Sequence, residues 1–293
     1  MSGCNRNPHP NKRVHLNEHG FTLIELIVVV VILGIVSISI SGIVRTTIDT
    51  VNTVSERENL VREGSYLLER FNRELNRAVP NSVRIAGNAN AHCIEFVALN
   101  YSTSYLSLPL VATADVSADV IELVDINNTP YVLQPSDMGI VFPTQPSEVY
   151  DASLNHRQNV VSCTDDGDGD CATNDDSDAV VQVSFTDGFD TSSPSRRIYF
   201  ADQAISYCMR NSAVYRHVSG INTNQTIYTT GGALMAQGLV NTLTANVVTG
   251  EQSPFTRTDA TLQRNAATRA LFIFGREEER VTFMQEVQIP NVP

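Results

Sequence analysis

The chain has 293 residues, a formal charge of −12, 42% hydrophobic residues, 16 Gly, 12 Pro and no Trp. That balance fits a globular body and excludes a disordered or collagen-like chain. The acidic charge also makes nucleic acid an unexpected partner, because its recognition relies on clustered Lys and Arg.

The first element is a short charged leader, residues 1–20, with Arg6, Lys12 and Arg13 and one cysteine, Cys4. An uncharged run follows from Leu26 to Val44. As a helix it measures roughly 28 Å, close to a hydrocarbon core, and residues 21–44 together read as a membrane span. The positive leader places the N-terminus in the cytoplasm and the remainder across the inner membrane. A secretory signal peptide is the rival reading, with Ser37 to Gly42 as a cleavage region. Against it stands Glu25, since an intramembrane carboxylate is costly and marks function by default.

The residues Gly20-Phe21-Thr22-Leu23-Ile24-Glu25, followed by an apolar helix, resemble the processing site of type IV prepilins and type II secretion pseudopilins. The resemblance implies that a prepilin peptidase cuts after Gly20 and that the new Phe21 amine is methylated. It implies that Glu25, fifth in the mature chain, serves subunit assembly, with other major and minor pilins as partners. It also implies an α+β fold, in which a long N-terminal helix packs on an antiparallel β-sheet domain. The chain would sit in the inner membrane first and later in an exposed pilus. Physically, a carboxylate buried among bundled helices needs a cation, and the Phe21 amine of a neighbour supplies one. Gly34 and Gly42 read either as close-packing positions or, at Gly42, as a point where the helix melts.

Helical periodicity continues to Val79. Leu60, Gly64, Leu67, Leu68, Phe71 and Leu75 form an apolar stripe, Arg70–Glu74 and Glu69–Arg73 are i,i+4 pairs, and Pro80 is the stop. A coiled-coil dimer is the other use of such a stripe, but sustained heptads are missing. Residues 80–293 read as a β-rich body. Its strand candidates are Cys93–Leu99, Val120–Val124, Val180–Phe185, Arg197–Phe200, Ile205–Met209, Ala213–Val218, Arg269–Phe274 and Val281–Ile289. Asn211-Ser212 marks a hairpin turn, and residues 219–268 read as a decorated loop with one or two short elements. Residues 69–84 resemble the helix end of minor pilins of the MSHA (mannose-sensitive haemagglutinin) pilus.

Four cysteines follow the leader, which allows three pairings. Cys163–Cys171 closes a short loop and Cys93–Cys208 joins two strand candidates; zinc is disfavoured by the spacing. Between Cys163 and Cys171 lie Asp166, Asp168 and Asp170, on a glycine-rich backbone. They are read either as calcium ligands without EF-hand spacing or as a solvated loop. No catalytic motif is present, and His92, His156 and His217 stand apart from nucleophile or metal spacings, so no enzymatic activity is expected.

Overall fold

One helix, α1 (Leu23–Leu75), carries the whole N-terminal pattern. The computed structural model describes residues 20–113, 115–121, 131–134, 136–164, 171, 179–244, 252–258, 266–276 and 279–289. The chain divides into two compact units, Met1–Ser55 and Glu56–Pro293. In the first, every residue from Gly20 on is exposed. In the second, the apolar stripe of α1 is buried at Leu60, Gly64, Leu67, Phe71 and Leu75.

The helix ends at Leu75, four positions short of the expected Val79. Ala78 bridges Ala98, and the Val79 N–H donates to the Val97 carbonyl at 2.9 Å. Their apolar side chains extend the helical pattern, but their backbone already belongs to the sheet.

A five-stranded antiparallel sheet lies on the stripe. It holds β1 (Arg84–Gly87), β2 (Ala91–Val97), β9 (Ala204–Arg210), β10 (Ala213–Ser219) and β11 (Ala233–Gln237), in that order. Asn211 and Ser212 join β9 to β10, with φ of 48° and 58°. Positive φ at both positions is what a two-residue hairpin turn requires. A second sheet, β12 (Phe255–Thr258), β13 (Ala266–Arg276) and β14 (Glu279–Ile289), shares the same core: Phe255 and Phe272 pack on Phe71, and Phe274 packs on Phe283. The segment after β11 joins it to the first: Leu239 bridges Phe274, and the Asn241 amide bonds both the Leu271 carbonyl and the Ile273 N–H. Among the described residues of 219–268 there are two complete short strands, β11 and β12.

Glu74 is the polar anchor of α1. Its carboxylate accepts from Arg70 at 3.1 Å, from Arg216 on β10 at 2.9 Å and from the Tyr207 hydroxyl on β9 at 2.8 Å. The Arg70–Glu74 pair is therefore one arm of a three-donor site, while Glu69–Arg73 forms no ion pair among the described residues.

Gly64 meets the second sheet. A Cβ there would land on the Phe283 ring of β14. Gly64→Ala is therefore expected to lower stability by about 1–3 kcal/mol. At an open helix position the same change is expected to raise it by roughly 1 kcal/mol. Thermal melts should show the loss, and adding Phe283→Leu should recover most of it.

Between β2 and β9 the chain leaves the first sheet and builds another. Residues 101–201 hold β3 (Tyr101–Ser104), β4 (Ser117–Ile121), β5 (Met138–Val141), β6 (Arg157–Thr164), β7 (Val180–Phe185) and β8 (Arg197–Ala201). These six pair in the order β3-β8-β5-β6-β7-β4. Tyr105 then bridges Val120, and the Leu106 N–H donates to the Asp119 carbonyl at 2.7 Å, so the sheet curls back on itself. Val120, Val160, Val181, Val183, Phe185, Phe189, Ile198 and Phe200 fill its interior. This inserted barrel explains why so many strands separate β2 from β9.

A strap, residues 220–232, crosses the face of the first sheet opposite α1. Three arginines donate to its carbonyls: Arg84 to Asn222 and Thr223, Arg157 to Ile221, and Arg210 to Gly231. Tyr228 of the strap stacks on His217 at 4.0 Å. The structure is thus α+β, a long N-terminal apolar helix followed by antiparallel sheets.

Candidate assembly site

The N-terminal site is built around the start of α1. Thr22 caps it: its hydroxyl accepts the Glu25 N–H at 3.4 Å, and its carbonyl accepts the Leu26 N–H at 3.3 Å. Glu25 therefore occupies the first turn, where exposed N–H groups favour a carboxylate. Thr22-Leu-Ile-Glu25 has the spacing of a capping box, so the sequence carried a signal for Thr22 that a reading centred on Glu25 passed over. Gly20 and Phe21 precede the helix, with Phe21 78% exposed. A peptidase acting at the Gly20–Phe21 bond would meet non-helical backbone there.

By length and composition α1 can cross a membrane, and its apolar window is wholly unburied within the chain. Its hydroxyls do not oppose that. Ser37, Ser39 and Ser41 donate to the carbonyls of Leu33, Ile35 and Ser37, and Thr46, Thr47, Thr50 and Thr53 repeat the pattern. Each polar hydrogen is satisfied inside the helix, as a hydrocarbon environment demands. The Ser37–Gly42 region lies in mid-helix, and the helix is unbroken at Gly42. A Cβ at Gly34 or Gly42 would meet nothing within 4 Å. Contacts inside this chain therefore give no reason for glycine at either position.

Far along the chain, two disulfides are present. Cys93–Cys208 joins directly opposed residues of β2 and β9, and both cysteines are fully buried. Cys163 near the end of β6 pairs with Cys171. The calcium reading of Asp166, Asp168 and Asp170 falls outside the described residues, as does the leader up to His19. Among the described residues, no group of three or more His, Cys, Asp or Glu side chains is placed to hold a metal. His92, His156 and His217 are all buried. The His92 and His156 rings face the carbonyls of Thr244 and Val141. Burial, and next the Arg210 guanidinium, hold the His217 ring below its ordinary pKa.

Residues 15–41 match the family model described as the prokaryotic N-terminal methylation motif. No curated protein and no solved structure matches the chain. The matched stretch contains Gly20, Phe21, Thr22 and Glu25 and the first part of α1. It supports a type IV pilin-like protein anchored by its N-terminal helix, with pilin-type partners and a prepilin peptidase in general.

Proposed function

We propose that this protein is a minor pilin of a type IV pilus of the MSHA type, close to MshO, that is cut after Gly20 and helps initiate or cap filament assembly. The observation that carries the reading is Glu25, in the first turn of an uncovered apolar helix inside a methylation motif. In a bundle of such helices the carboxylate is desolvated, and an N-terminal amine on a neighbour neutralises it. Such a pair adds little net stability but penalises wrong register strongly, since an unpaired buried charge costs about 3–5 kcal/mol. The inserted barrel supports placement at an end, because a bulky addition is harder to repeat along a shaft.

Glu25→Ala should leave the chain in the membrane fraction and remove it from purified filaments. Glu25→Asp should restore part of the incorporation. Wild-type amounts of the alanine variant in filaments would overturn the reading. A periplasmic pseudopilus in place of a surface pilus would assign the chain to type II secretion instead.

A further inference from the structure

We propose that the free edge of β14 is a self-recognition surface, where a second copy of this chain pairs antiparallel about Phe283. Strand β14 has 11 residues and one partner, β13. Their register runs unbroken from Ala266↔Ile289 to Arg276↔Glu279, with no bulge to turn the edge away. No strand other than β13 pairs with β14 among the described residues. No backbone hydrogen bond beyond the β13 ladder reaches it there. An edge of this length with open N–H and C=O groups is a template for another strand.

Charge selects the occupant. Side chains alternate along β14, so Val281, Phe283 and Val287 point inward while Arg280, Thr282, Met284, Glu286 and Gln288 are exposed. Met284 is 66% exposed. An antiparallel copy centred on Phe283 places Arg280 of one chain opposite Glu286 of the other, and does so twice. Thr282 then faces Met284, which is polar-tolerant and apolar enough to cover. Shifting the centre by one residue sets Arg280 opposite Gln288 and loses both ion pairs. The register Arg269↔Glu286 extends each pair into a row of alternating sign, Arg269–Glu286–Arg280 of the second copy. Opposed unlike charges favour a strand pair and opposed like charges disfavour it.

The symmetry has a consequence. Two identical antiparallel strands in one sheet are related by a dyad normal to that sheet, and the rotation reverses every direction lying in its plane. The Glu56–Leu75 part of α1 packs on the inner face, so it runs oppositely in the two copies. The contact therefore joins chains from two opposed filaments and not neighbours within one. That placement rests on the pilin reading, whereas the strand pairing does not.

The test uses the full chain in non-ionic detergent, with two tags for co-purification and sedimentation velocity for mass. Wild type is expected to self-associate, less so at high salt. Arg280→Glu and Glu286→Arg should each weaken association about tenfold or more, because each sets like charges opposite one another twice. Combining the two restores the unlike pairs across the contact and should recover most of the association that either change alone removes. Both positions are exposed. Arg280 lies opposite Gly275, so Arg280→Glu should leave the thermal melt unchanged, whereas Glu286→Arg also sets a cation opposite Arg269 of its own chain and should lower the melt slightly. A wild type that stays monomeric at all concentrations, or a double variant that is not rescued, overturns the proposal. Either failure would leave the assembly reading standing, since that reading is tested at Glu25.

Discussion

Glu74→Ala is expected to destabilise the body by about 3 kcal/mol, the lower end of the loss when one partner of a buried ion pair is removed, because this pair is only partly buried. The Glu74 side chain is 17% exposed and that of Arg216 is 18% exposed. Removal would strand the Arg216 guanidinium and the Tyr207 hydroxyl between α1 and the first sheet. Burial by itself pushes the Glu74 carboxyl up, but the bonds from Arg216, Tyr207 and Arg70 outweigh it and hold it below its ordinary value. Burial, and next the Glu74 charge, drive the Tyr207 phenol far above its ordinary value, so it stays a donor. Chemical denaturation of the full chain should show the loss. Glu74→Gln should lie between wild type and alanine, since an amide keeps the shape and one acceptor.

The same group sets a pH dependence with a definite sign. A carboxyl whose native pKa is depressed binds protons more readily when unfolded, so stability rises with pH across the titration. The Glu74 contribution is complete above the ordinary carboxylate value of 4.5. It is lost as pH falls through the lower native value. In Glu74→Ala that acid loss should shrink, and an unaltered profile would assign the acid sensitivity to another group.

What could be read beforehand divides by distance along the chain. The stripe Leu60, Gly64, Leu67, Phe71 and Leu75 was legible because its period is local and its buried face continuous. The end of α1 was not, since Ala78 and Val79 fit the stripe while their backbone pairs with β2. The hairpin at Asn211-Ser212 was legible from its turn chemistry. By contrast, β3, with the sequence Tyr-Ser-Thr-Ser, offers neither alternation nor strong burial, and it exists because β8 pairs with it. The barrel closure between Tyr105 and Val120 leaves no local mark at all. At the site, Glu25 stood out as a charge in an apolar run, while Thr22 needed the capping spacing to be noticed. For Glu74 the local pattern shows only Arg70, four residues away. Arg216, 142 positions distant, comes within reach only after β10 is placed.

Removing the Cys93–Cys208 bond by double alanine substitution should be the other large effect, and its size follows from where the bond sits. The two cysteines are 115 positions apart, and the inserted barrel lies between them. Chain-entropy reasoning gives roughly 5 kcal/mol for a loop of that length, against roughly 2.5 kcal/mol for one the size of Cys163–Cys171. The native strands need not move to lose that energy, because most of it comes from the freedom restored to the unfolded chain. The bond also fixes β2 to β9 where the barrel departs and returns. A body with Cys93 and Cys208 replaced should therefore unfold at distinctly lower denaturant than one with Cys163 and Cys171 replaced. Equal losses from the two pairs would mean that the barrel persists in the unfolded ensemble and keeps the long loop closed without the disulfide. The bond would then act only within the β2–β9 ladder.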